Sequence, residues 1–362
     1  MKVNQILQKS KIELAGIFLE VYNALDDKKK SEVRNNIFKA PKSIFENIPC
    51  QPIFLKVSYD GRNLSGVTES DSSFTVGRIL RDALHSAQLV PDSFNFKNYT
   101  VCGRTDAGVS ATGQVFSLWI RSSGETGATF DNLEGFKKHI CGIDYLSAIN
   151  TKLPKEVRVR NWAIVNEKMS ARFDAIGRQY RYIVPGGCEL DTLKMIQGGQ
   201  KLIGEKDFRN FAFERQDIKH FIRRIDYVSV EKHGNDIHIV IKGKAFVYHQ
   251  VRCTVAILLL IGAGYEDINV IDYLLDVARC PKRPKYNIAP AEFLIFEDAF
   301  FENLNWQSND KISKSIKLFE YDLEVSYFKQ FFYNQISSPS CCTVLSFVRG
   351  LSKKYTKIEQ LQ

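Results

Sequence analysis

The 362-residue sequence contains no CxxC pair, and none of its eight cysteines stands near a histidine at zinc-finger spacing. It also lacks a P-loop, a GxGxxG turn, a GxSxG elbow and an HExxH helix. These absences weaken nucleotide hydrolysis, dinucleotide redox chemistry, serine hydrolysis and zinc proteolysis as readings. No window reaches the roughly 18 apolar residues that span a bilayer. The longest candidate, Ile12 to Leu25, is broken by Glu13 and Glu20 and has no small-residue cleavage site, so neither a signal peptide nor a membrane partner is expected. The cysteines read as reduced, buried small hydrophobes, the usage of a cytosolic or nuclear protein.

What is present supports a core of ordinary size, with 44% apolar and 25% charged residues. Fifty basic residues against 41 acidic ones leave a net charge of +9, which favours a polyanionic partner. Residues 1–50 recur in apolar character at three and four, as in a helical extension. Ile53, Leu55, Val57 and Tyr59 alternate as in a strand. Thr75 to Leu89 reads as a helix, Val115 to Ile120 as a strand, and 136–153 as helical or mixed. A second half from 156 gives strands over Arg158 to Val165 and Arg178 to Val184, and a helix over Asp191 to Ile203. A hairpin turns at His233–Asp236. Val247 to Gly264 is a helix of unusual apolarity, Val270 to Arg279 another, and Phe293 to Phe300 a last strand. Residues 302–362 read as a helical, then basic, extension. Strand–helix–strand order in each half predicts antiparallel α+β layers.

One stretch is not explained as a plain turn. In "VCGRTDAGVSATGQV", residues 101–115, Arg104 and Asp106 stand two apart, framed by Gly103, Gly108 and Gly113. A turn aspartate bonding its own backbone accounts for Asp106 alone. Glycines on both sides also let the backbone approach a bulky ligand, and Arg104 is placed to reach a phosphate or base edge. His249, beside Tyr248 and Gln250, reads as structural, because nothing near it in sequence is a nucleophile to activate.

This stretch resembles the signature loop of the TruA family of tRNA pseudouridine synthases, and other segments match the family in order. "YDGRNLSG" and "TVGRILRDAL" are similar to its opening strand, loop and helix. "SARFDAIGRQYRYIV", "DFRNFA", "AFVYHQVRCTVAILLLIGAG" and "APAEFLIFED" are similar to its later motifs. The resemblance spans about Ile53 to Phe300 and is nearest to the eukaryotic branch that modifies uridines 38 and 39 of the tRNA anticodon stem-loop. Ala107 stands where that branch usually carries Lys, and Arg62 where it carries Trp.

The resemblance implies an α+β fold in which two similar halves, 51–155 and 156–301, share a mainly antiparallel sheet around an active cleft. It implies Asp106 as the catalytic carboxylate, Arg252 as its ion partner, Tyr180 stacking on the target base, Leu294 packing under the uracil, and Arg104 flipping or holding. It implies tRNA as the partner, no metal, no cofactor, and a homodimer after the bacterial members. Arg178, Arg181, Arg209, Lys282 and Arg283 are candidates for RNA contact from the basic second half. The competing expectations are another RNA target for the same chemistry, or a tRNA-binding or folding factor without turnover.

Overall fold

The structure is a computed structural model that describes residues 47–68, 74–91, 99–137, 142–186, 189–216, 218–309 and 356–361, with 26, 29, 45 and 314 besides. The chain divides at Ile48/Pro49, and the unit Pro49–Gln362 carries the sheet and the site. The helical extension expected over 1–50 falls almost wholly outside the described residues, as does most of the extension expected over 302–362.

Among the described residues nine strands form one sheet. In chain order the elements are β1 (Cys50–Tyr59), α1 (Val76–Ser86), β2 (Thr100–Val101), β3 (Ser110–Arg121), α2 (Tyr145–Asn150), β4 (Val157–Ile164) and β5 (Gly177–Val184). Then follow α3 (Thr192–Leu202), β6 (Gly204–Asp207), β7 (Ile222–His233), β8 (Asp236–Gly243), α4 (Gln250–Gly262), α5 (Val270–Leu275) and β9 (Leu294–Phe300). Across the sheet the order is β4-β1-β3-β9-β5-β8-β7-β6, with β2 pairing β3 off that path. β9, the last of the described strands, therefore closes the middle of the sheet. It runs parallel to β3 at Ser110–Ile295 and Ala111–Phe296 and antiparallel to β5. The β3–β9 pairing is the one parallel pairing among the described strands, so the sheet is mixed and mainly antiparallel.

Two apolar cores follow from this order. In the first, α1 and α2 cover the β1 face that carries Ile53, Leu55, Val57 and Tyr59. Thr75 caps α1 by accepting from the Arg78 amide, which fixes the helix start one residue after the expected boundary. This core takes in Val157, Val159, Val165, Ala171 and Ala175. β4, which follows residue 156, pairs with β1, and its inward valines fill the first core before the chain crosses over. In the second core α4 is buried at every position except Arg252. A helix apolar all round is what burial between a sheet and neighbouring helices demands. Full burial of each Leu or Ile in it contributes roughly 1.5–3 kcal/mol.

Three boundaries differ from the sequence reading. β3 begins at Ser110, five residues before the apolar run, because small residues 110–114 pair with β1 and β9 although their composition resembles a loop. The apolar helix starts at Gln250 because His249 takes a left-handed conformation (φ 63°) that breaks the turn before it. The helix from Val270 stops at Leu275, where Asp276 becomes extended. At the far end, Ile358 is buried in the second core, and its amide donates to Glu266 Oε1 at 2.8 Å. That part of the expected basic extension is docked rather than trailing.

Candidate active site

The 102–109 loop, between β2 and β3, is fastened on both sides. Cys102 N–H donates to Val115 O at 2.8 Å, and Gln114 from β3 bonds both polar groups of Gly103. Val67 N–H donates to Thr105 O and Gly108 N–H to Leu64 O, each at 3.2 Å, which ties the loop to the end of the "YDGRNLSG" segment and the residue after it. Tyr59 Oη lies 2.7 Å from Thr105 Oγ1, both groups being buried. Gly103 has no room for a side chain: a Cβ there meets the Phe296 ring at 2.6 Å and the Tyr180 hydroxyl at 3.3 Å. Gly108 sits at φ +85°, where a side chain is strained. These contacts make a rigid perch for one carboxylate, not a flexible turn.

Asp106 meets the start of α4. Arg252 Nη1 donates to Asp106 Oδ2 at 3.0 Å across 146 residues of sequence, and Arg252 Nε donates to Ala289 O at 2.8 Å. His249 Nε2 lies 3.2 Å from the same Oδ2. Both partners thus converge on one oxygen, and Oδ1 has no hydrogen bond among the described residues. Burial pushes the Asp106 carboxyl up, but the hydrogen bonds and charges of His249 and Arg252 outweigh it and hold the group below the ordinary carboxylate range. The dipole at the N-terminus of α4 favours the same anion. A carboxylate kept ionised with one oxygen committed and one uncommitted can serve as nucleophile or base.

The other expected residues surround this pair at different depths. Tyr180, on β5, packs edge-on against Phe246 and Phe296 with centroids 5.3 and 5.0 Å away. Its hydroxyl faces Gly103, and burial raises its pKa. Leu294 is buried at the start of β9, opposite Tyr182. Arg104 is exposed two residues from Asp106. "DFRNFA" acts from behind. Buried Asn210 donates to Leu274 O and Cys280 O at 2.9 and 2.7 Å, and Tyr286 Oη donates to Asn210 O at 2.6 Å. This anchors the 276–289 segment whose Ala289 carbonyl holds Arg252.

The candidate RNA contacts divide. Arg178 is only 8% exposed, and its guanidinium donates to the Cys102, Arg172, Ala175 and Lys244 carbonyls, so it is an internal brace and not a surface cation. Arg181 points to the opposite sheet face from Tyr180 and pairs with Glu297. Arg209 is held by Asp207, Nη2 to Oδ2 at 2.7 Å. Lys282 is exposed, while the Arg283 guanidinium lies 4.2 Å over Phe213 and 4.0 Å over Tyr286. Sequence reasoning passed over His249 because its partner is far away in sequence. The available signal was its spacing three residues before Arg252, which puts both on one side of a helix start.

Comparison with known proteins fixes the class. A family model described as tRNA pseudouridine synthase matches residues 199–302. The tRNA pseudouridine(38/39) synthase of Bos taurus is 36% identical over 274 residues, 70% of this chain and 56% of that protein. The Homo sapiens protein of that name is 34% identical over 304 residues, 77% of this chain and 62% of that protein. The Saccharomyces cerevisiae one is 31% identical over 304 residues, 80% and 67% respectively. The chain belongs to the tRNA pseudouridine synthase family, in which its similarity extends to the eukaryotic 38/39 branch. It spans less than two thirds of the length of the two mammalian relatives.

Proposed function

We propose that the protein isomerises uridine to pseudouridine in the tRNA anticodon stem-loop, at positions 38 and 39. The observation that carries this reading is the Asp106 carboxylate, ion-paired to Arg252 through Oδ2 and uncommitted at Oδ1. In the reaction the bond from sugar C1′ to uracil N1 breaks and a bond from C1′ to C5 forms. C5 loses a proton and N1 gains one, so no redox partner and no water is consumed. Oδ1 of Asp106 is the oxygen that attacks or accepts a proton. The target base leaves its stack at a cost of a few kcal/mol, and stacking on Tyr180 offsets about 1–3 kcal/mol of it. The names of the mammalian and yeast relatives support the 38/39 positions. Dimerisation belongs to the same reading, and sedimentation of the full chain decides it.

The test is tritium release from tRNA transcripts carrying 5-labelled uridine. Wild type releases tritium and Asp106→Asn does not. Equal release from the two removes Asp106 from the chemistry. Retained tRNA binding without release from wild type on any transcript favours a binding or folding factor. Site mapping on total tRNA from cells lacking the protein shows whether the signal is lost at 38 and 39 or elsewhere.

A further inference from the structure

We propose that His249 is a positioning residue for Asp106: its Nε2–H holds Oδ2, and together with Arg252 on the same atom it turns Oδ1 toward the substrate. This deepens the reading of Asp106 as the catalytic carboxylate and rests on it. Four observations converge on the imidazole. Its Nε2 is 3.2 Å from Asp106 Oδ2. Its other nitrogen, Nδ1, is buried and has no hydrogen-bond partner among the described residues, so the ring's polar contact is with the carboxylate. Its plane is fixed by stacking on Tyr248 at 3.7 Å, interplanar 28°, and by the edge of Phe213 at 5.0 Å. Its backbone is left-handed, φ 63°, a conformation that costs a non-glycine residue free energy and persists where surroundings impose it. A histidine kept for packing alone has no reason to carry an orphaned nitrogen and a strained backbone; a phenylalanine in an ordinary turn packs as well.

Other charged and titratable groups stand beside this pair or over the rings that pack on it. Arg252 shares the carboxylate, and Tyr180 approaches from β5. Arg215 lies 4.9 Å over Tyr248, and Arg283 lies 4.2 Å over Phe213. Glu292 stands beside Gly108, and Arg104 lies two residues from Asp106. All of them remain when His249 alone is changed.

The experiment compares the pH profile of kcat/KM for wild type, His249→Phe, His249→Gln and Asp106→Asn on one tRNA transcript, with circular dichroism as the folding check. His249→Phe keeps a stacking ring and removes the donor. Its kcat falls about tenfold or more, the loss of one hydrogen bond in the transition state, with KM near wild type. Its acid limb moves toward neutral pH, because Asp106 loses one of the two partners that hold it ionised. His249→Gln restores a donor at similar reach and recovers part of the rate and of the limb. Folded Phe and Gln variants with equal rates and an unmoved acid limb overturn the proposal. If Phe fails to fold, His249→Ala serves as the donor-less variant: a rate and acid limb in Gln closer to wild type than in Ala uphold the proposal, and Ala and Gln variants with equal rates and an unmoved limb overturn it. Activity in Asp106→Asn brings down the underlying reading instead, which separates the two failures.

Discussion

Gln114 grips both polar groups of Gly103: its Nε2 donates to the Gly103 carbonyl at 2.7 Å, and its Oε1 accepts from the Gly103 amide at 3.0 Å. The side chain thereby does for the loop what a neighbouring strand does for a β residue. It holds the backbone three residues before Asp106 without a strand's length of pairing.

Gln114→Ala leaves the buried Gly103 amide unpaired and its carbonyl with only the Thr105 amide, at 3.2 Å. The unpaired amide costs about 1–3 kcal/mol. The expected result is a fall in Tm of several degrees and a kcat loss, with KM little changed, because Gln114 is buried and meets no ligand directly. Calorimetry and single-turnover kinetics check both parts. An Ala variant with wild-type Tm and kcat contradicts the clamp.

Removing Arg252 tests the charge balance around Asp106. The carboxylate side chain is 22% exposed, so Arg252→Ala costs near or below the low end of the roughly 3–5 kcal/mol lost when a buried pair is broken. The Asp106 carboxyl is depressed in the folded state, so its stabilisation is full above its unfolded value and is lost as pH falls through the lower folded one. Without Arg252 the folded value rises toward the unfolded one, so less stability is lost on acidification and the loss is complete at a higher pH. Denaturant melts at a series of acid pH values show a smaller acid loss that ends at a higher pH than in wild type, while the acid limb of activity, which follows the folded carboxyl, shifts toward neutral. Arg252→Lys keeps a charge but lacks the planar fork that reaches both Asp106 and Ala289, and restores only part.

Much of this was legible in advance and some was not, for physical reasons that differ. The strand at Ile53 and the hairpin at His233–Asp236 announce themselves through alternation and turn residues, and both stand where expected. Asp106, Arg252, Tyr180 and Leu294 are named as site residues by resemblance alone. Their pairing geometry was not legible, since it depends on β9 entering mid-sheet between β3 and β5. The early half of β3 was missed because Ser110 to Gln114 is small and polar in composition and becomes a strand only through its neighbours on both sides. Arg178 was misjudged because charge alone gives no sign of four carbonyls waiting to be satisfied.

That correction has a measurable consequence. Arg178→Ala leaves buried carbonyls unsatisfied and lowers stability by several kcal/mol, while the salt dependence of tRNA binding by the folded fraction is unchanged. Lys282→Ala does the reverse. It leaves Tm alone, and if Lys282 meets a phosphate it lowers affinity uniformly across tRNAs and flattens the slope of log K against log salt by about 0.7–0.9. Thermal melts and binding isotherms at four salt concentrations distinguish the two.

Gly103 passes close under the Phe296 ring. A Cβ on residue 103 falls 2.6 and 3.1 Å from two atoms of the Phe296 ring and 3.3 Å from the Tyr180 hydroxyl. Phe296 is fully buried, paired on one side to β3 and on the other to β5, so the ring has nowhere to retreat. Gly103→Ala therefore displaces the loop or Tyr180, at a cost of about 1–3 kcal/mol for an overpacked core. Because Asp106 and Tyr180 are both attached to what moves, kcat falls further than Tm suggests. Adding Phe296→Leu gives the new methyl space. In a double-mutant cycle the pair recovers part of both Tm and kcat relative to Gly103→Ala, a favourable coupling expected only if the two residues touch. Additive losses in the double variant show that residue 103 acts through something other than this contact.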